Sequence, residues 1–152
     1  MNSSAQEGSP SPATAKLPKA PIFLPVGDRA LAVEFGQTVD AGANRQVIAL
    51  AESLAHEPVE GITECVPTYR SLLVSYDPQI LRGAALEVLL AKRIKALTPG
   101  AEAGRLWPVP VVYGGAVGMD LEALAQEKSM SPEALISQHS SAEYRVYMIG
   151  FA

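Results

Sequence analysis

His139 is the residue of this chain best suited to chemistry. It falls at the end of an expected helix, directly before the apolar run EYRVYMIGFA at residues 143–152. Imidazole titrates near neutrality, so a histidine placed there can act as a general base or hold an anionic substrate. It can equally serve as a C-terminal cation that caps helix carbonyls. A second candidate is Tyr69-Arg70-Ser71, at the junction of two expected strands. The arginine's paired donors suit a carboxylate or a phosphate. The structural alternative is a turn held by an ion pair from Arg70 to Glu34 or Glu64. Tyr147 joins these three as a candidate contact to substrate, nucleotide or partner. Tyr144 and Tyr147 are three apart in an expected strand, so they face opposite sides of it and at least one packs.

Other reactive types read as structural. Cys65, the single cysteine, lies in an expected strand with no histidine close in sequence, which favours burial over nucleophilic duty. One thiol makes no internal disulfide, and no Cys/His cluster exists to hold zinc, so no metal is expected. Gly114, Gly115 and Gly118 lack the spacing of a phosphate loop and the Lys-Ser/Thr that follows one, so they read as a turn. His56, beside Glu57 and Pro58, reads as a solvated helix end. The sequence contains no nucleophile elbow and no dinucleotide-binding glycine run.

A net charge of −4, with 12 scattered basic residues, argues against a nucleic-acid or anionic-membrane surface, which needs clustered cations. No stretch approaches the roughly 20 apolar residues that span a bilayer. Residues 1–21, rich in Ser, Pro and Ala, lack the apolar core of a secretory signal and read as a disordered extension. The cytoplasm is the expected location.

The elements that must position these residues follow from periodicity. With 48% hydrophobic and 18% charged residues the chain has a globular balance. Residues 22–27 and 29–35 read as strands, the second placing Leu31, Val33 and Phe35 on one face. Asp40 is an expected N-cap for a helix that carries Ala43, Val47, Leu50, Ala51 and Leu54 on one side and ends near His56. The pattern then recurs: strands at 62–69 and 71–76, then a helical stripe of Leu86, Leu89, Leu90, Ile94 and Leu97. This predicts an α+β fold whose first domain, residues 22–98, is a two-layer ββαββα unit with both helices on one face of a four-stranded sheet. Residues 99–106 read as a linker. Beyond it are expected a strand at 107–115, a short helix begun by Asp120, and a helix begun by Ser131-Pro132-Glu133, which supply cap, first-turn proline and first-turn acid. An apolar strand at 143–152 follows. So apolar a strand should pair within a larger sheet, and the chain therefore reads as the front part of a longer protein whose second domain, from residue 107, is incomplete.

Four segments, in order and in register, resemble one family. They are GDRALAVEFG, GITECVPTYRSLLVSYDP, PVVYGG with MDLEALA, and SPEALISQHSSAEYRVYMIGFA. The family is that of the 5-oxoprolinase B subunit, also called KipI or allophanate hydrolase subunit 1, which carries a carboxyltransferase subdomain. The resemblance covers residues 26–152 and implies that the second domain is the start of a cyclophilin-like β-barrel. It implies a bacterial subunit of a hydrolase that uses ATP to open 5-oxoproline, a lactam, to glutamate. C-like and A-like 5-oxoprolinase subunits would complete the site as partners, and ATP, for which this chain shows no motif, would be shared with a partner subunit or held by the rest of the barrel. The resemblance also implies that His139 matches a histidine the family keeps. Two other readings remain open: a KipI-like inhibitor of a sensor histidine kinase, and a carboxyltransferase component of urea degradation. The chain departs from the family in its Ser/Pro-rich leader and in ending inside the glycine-phenylalanine motif, so activity of these 152 residues alone is not expected.

Overall fold

A computed structural model of the chain describes residues 20–98 and 104–150. The expected extension up to residue 19, the first five residues of the linker and the last two residues lie outside the described residues. The described residues fall into two compact units, 20–98 with 147–150, and 104–146.

The first unit has the expected order: β1 (Ile22–Val26), β2 (Ala30–Glu34), α1 (Ala41–His56), β3 (Ile62–Pro67), β4 (Ser71–Tyr76) and α2 (Gly83–Ala96). The sheet runs β1-β2-β4-β3 with every neighbour antiparallel. Leu31, Val33 and Phe35 alternate along β2 and its extension, and Leu72, Val74 and Tyr76 alternate along β4. These residues meet Ala43, Val47, Leu50 and Leu54 of α1 and Leu86 and Leu90 of α2 in one core. Each such aliphatic side chain taken fully out of water contributes roughly 1.5–3 kcal/mol. Leu89, Ile94 and Leu97 pack at its margin, with Leu97 just past the end of α2.

Local chemistry fixes the helix ends. The Asp40 carboxylate accepts from the Ala43 N–H at 2.8 Å and caps α1 as expected. At the other end Arg93, on α2, donates through Nη1 to the carbonyls of Ser53 at 2.8 Å and Glu57 at 2.9 Å. A cation at the C-terminus of a helix meets the last carbonyls and the negative end of the dipole together. Gly61, at φ +91°, turns the chain into β3; a Cβ there would lie 2.7 Å from the Leu81 Cβ, so both conformation and space require glycine.

In the second unit α3 (Leu121–Glu127) and α4 (Pro132–Ser141) form as expected, and Gly115–Val117 make a single 3-10 turn. Ser131 caps α4, its hydroxyl accepting from the Ala134 N–H at 3.2 Å, and Pro132 takes the first helical position. The two strands expected at 107–115 and 143–152 are corrected: the described residues 104–113 and 142–150 belong to no sheet. A strand exists only through its neighbour's hydrogen bonds, and among the described residues neither run has a paired strand. Their apolar side chains stay in water accordingly, Val112 being 78% and Ile149 89% exposed. Among the described residues of this unit Ala125 alone is buried.

Candidate functional site

Two clusters hold the candidate residues, one in each unit. The first is the corner between β3 and β4. Pro67 pairs with Leu72, and the Thr68 N–H donates to the Ser71 carbonyl at 2.8 Å, leaving Tyr69 and Arg70 as a two-residue loop. Neither has the positive φ that the commonest two-residue turns need. A side chain closes the turn instead. Thr68 Oγ1 accepts from the Ser71 N–H at 3.1 Å, donates to the Ser71 carbonyl at 3.0 Å, and lies 2.9 Å from the Ser71 hydroxyl. The hydroxyl of a threonine thus stands in for the missing turn geometry.

Arg70 immediately precedes β4, beside the end of β2, where its carbonyl accepts from the Phe35 N–H at 2.9 Å. Its guanidinium crosses to β2. Nη1 donates to the Gly36 carbonyl at 2.8 Å and lies 3.5 Å from Glu34 Oε2, while Nε donates to the Tyr69 hydroxyl at 3.3 Å. The Tyr69 hydroxyl, and after it the Glu34 charge, hold the guanidinium pKa above its ordinary value. Of the two ion pairs open to Arg70 on sequence, the one to Glu34 forms. Ser71 is committed to the clamp with Thr68.

Tyr147 reaches this corner through a residue to which the sequence patterns assigned no role. Asn44 is 4% exposed, on the buried side of α1. Its Nδ2 donates to the Thr68 carbonyl at 3.4 Å and to the Tyr147 carbonyl at 3.1 Å. A primary amide has two donor hydrogens, and both are used here to tie the hairpin corner and the Tyr147 backbone to one helix. The Tyr147 backbone and the hairpin corner that carries Tyr69, Arg70 and Ser71 are thus tied to the same buried amide. The signal for Asn44 was present: an uncharged polar residue beside Ala43 and Val47 on an apolar helix face is buried only if its hydrogen bonds are met.

His139 belongs to the second unit and has a cluster of its own. Its Nδ1 lies 2.6 Å from the Tyr113 hydroxyl, with the two rings edge-on at 5.7 Å and 82°. The Tyr144 ring packs at 5.5 Å on the same imidazole, and its hydroxyl donates to the His139 carbonyl at 3.4 Å. Tyr144 therefore has a specific partner, where a strand would have made packing the first assumption. Tyr113 was visible only as the last residue before Gly114-Gly115. Because it is 26 positions from His139, no local pattern links the two.

Cys65 is half-buried in β3, and burial first, then the neighbouring Glu64 charge, pushes its thiol pKa up. Such a thiol is the opposite of an activated nucleophile. The loop from Gly114 to Gly118 closes on itself, the Gly118 N–H donating to the Gly114 carbonyl at 3.1 Å, which is the turn expected. Among the described residues no group of three or more His, Cys, Asp or Glu could hold a metal ion, and no helix is long and apolar enough to cross a membrane.

Comparison with known proteins agrees with the motifs. The family model described as the carboxyltransferase domain, subdomain C and D, matches residues 21–152. The 5-oxoprolinase B subunit of Bacillus subtilis (strain 168) is 35% identical over 138 residues, covering 84% of this chain and 58% of that protein. The protein of the same name from Escherichia coli O157:H7 is 31% identical over 129 residues, covering 83% of this chain and 57% of that one. This chain thus spans a little over half the length of these relatives. The crystal structure of TTHA0988 superposes with a TM-score of 0.64 at 36% identity, over 80% of this chain and 23% of that one. Motifs, fold and family model coincide, and the chain belongs to the family of the carboxyltransferase domain, subdomains C and D.

Proposed function

We propose that the full-length protein is the B subunit of an ATP-dependent 5-oxoprolinase, working in the cytoplasm with A-like and C-like partner subunits to open the lactam ring of 5-oxoproline to glutamate. The observation that carries this is the 35% identity, over 84% of the chain, to a protein named as the B subunit of 5-oxoprolinase. His139 is the residue of this chain that meets the substrate. It supports that role by being exposed, flanked by two aromatic neighbours and engaged only at Nδ1 of its ring among the described residues. The corner of Tyr69, Arg70 and Ser71, with the Tyr147 backbone tied to it, is a contact surface for substrate or partner. Its support is that the hairpin clamp is satisfied without a ligand, so the corner is already shaped before anything binds.

The described residues do not fit the phosphates of ATP. The glycine loop at 114–118 is a closed turn, no Lys-Ser/Thr follows it, and Arg70 is committed to Gly36 and Glu34. The ATP site is therefore assigned to the partner subunits or to the rest of the barrel. Residues 107–152 are proposed as the start of a cyclophilin-like barrel. Exposed Val109, Val112, Val146 and Ile149, on backbone that forms no sheet, are the side chains such a barrel would cover.

The test is co-expression of the full-length protein with the family subunits encoded beside it, followed by measurement of ADP release. Release that depends on 5-oxoproline supports the assignment. Release independent of 5-oxoproline, or none from a complex that assembles, refutes it.

A further inference from the structure

A histidine that meets a substrate can take a proton or give a hydrogen bond, and the surroundings of His139 decide between the two. A neutral imidazole carries one N–H. The nitrogen that bears it is selected by what the other nitrogen meets. At 2.6 Å the Tyr113 hydroxyl is at the short end of the hydrogen-bond range, and it meets Nδ1. A phenol is a stronger donor than acceptor, so the favoured arrangement has Tyr113 O–H donating to the Nδ1 lone pair. The proton of the neutral ring then sits on Nε2. No hydrogen-bond partner to Nε2 is present among the described residues, and the side chain is exposed.

We infer that Tyr113 is a positioning residue that holds neutral His139 as its Nε2–H tautomer, so that His139 gives a hydrogen bond to an oxygen of the substrate, a carboxylate or a lactam carbonyl, and does not act as a general base. A base would need its lone pair on Nε2, which this arrangement places on Nδ1 and occupies. Tyr144 also packs on the ring, 5.5 Å away and tilted by 42°. Tyr113 is itself placed by the turn after it: Gly114 and Gly115 take φ +72° and +60°, and a Cβ on Gly118 would collide with the Gly114 backbone. The chain reverses there in a shape that side chains disfavour. The role in substrate binding rests on the function proposed above. The tautomer does not.

Two measurements on the full-length protein separate them. Long-range proton–nitrogen NMR of the His139 ring is expected to show a protonated Nε2 and an unprotonated Nδ1 at pH above the imidazole titration. Tyr113→Phe is expected to give a mixture of tautomers. Proton on Nδ1 in the unsubstituted protein, or spectra unchanged by Tyr113→Phe, overturns the inference. In the assembled complex, Tyr113→Phe is expected to raise KM for 5-oxoproline about fivefold to tenfold, the scale of one hydrogen bond weakened, with a smaller change in kcat. His139→Gln, whose amide can donate from nearly the same place, is expected to retain much more activity than His139→Ala. Equal loss in both, with KM unchanged, favours proton abstraction and overturns the donor role. A complex inactive with every variant, the unsubstituted one included, refutes the proposed function while the NMR result still stands on its own.

Discussion

The side-chain amide of Asn44 donates to the carbonyl of Tyr147, 103 positions away, at 3.1 Å. The same nitrogen donates to the Thr68 carbonyl, so one buried amide serves two backbone acceptors. Replacing Asn44 with Ala removes both bonds, and replacing it with Leu adds an apolar group facing two carbonyls. Either change should destabilise the first unit by about 1–3 kcal/mol, the cost of leaving buried polar groups unpaired. Urea unfolding checks the stability. Amide exchange checks the second consequence, faster exchange around Tyr147. An unchanged midpoint together with unchanged exchange would show that the amide holds nothing.

Thr68 makes the two-residue loop possible without positive φ. Thr68→Val keeps the shape and the β-branch but removes the hydroxyl, and should cost about 1–2 kcal/mol. Thr68→Ser, which keeps the oxygen, should cost distinctly less. If the two substitutions are equivalent in thermal unfolding, the hydroxyl clamp is not what closes the turn.

The ββαββα unit was legible because its signals are local and repeated. Alternation in β2 and β4, the cap at Asp40, and the apolar stripes of α1 and α2 each agree with the sheet-and-helix answer. The pairing of Arg70 with Glu34 was legible as one of two options, since register alone decides which glutamate sits beside Ser71. Asn44 and Tyr113 act through contacts far along the chain, and no periodicity carries those. The strands expected at 107–115 and 143–152 show the converse. Their sequence has strand propensity, but propensity describes fit to a pleated surface, and among the described residues no neighbouring strand supplies one.

Cys65 should resist thiol reagents in the folded state. Burial and Glu64 raise its pKa, so the thiolate is scarcer at any pH near neutrality than for a free thiol, and reaction accelerates only as pH rises through that higher value. Labelling with iodoacetamide from neutral to mildly alkaline pH should be slower in the native protein than in urea at every point. Native labelling as fast as unfolded labelling at neutral pH would contradict this.

Glu133 has its carboxyl pKa lowered, first by its own backbone N–H at the start of α4 and then by the Ser131 hydroxyl. A carboxylate with a folded pKa below its unfolded one stabilises above the unfolded value and loses that contribution as pH falls through the folded one. Protection of the α4 amides should therefore decline on acidification below the ordinary carboxylate range. Glu133→Gln should flatten that part of the profile. Identical profiles for the two proteins would remove Glu133 from the helix start.

Membership of a lactam-opening complex is tested most directly by converting isotopically labelled 5-oxoproline with the purified complex, followed by NMR with and without the full-length protein. Labelled glutamate, formed together with ADP, is expected only when this protein is present. Glutamate formed at the same rate in its absence would contradict the assignment.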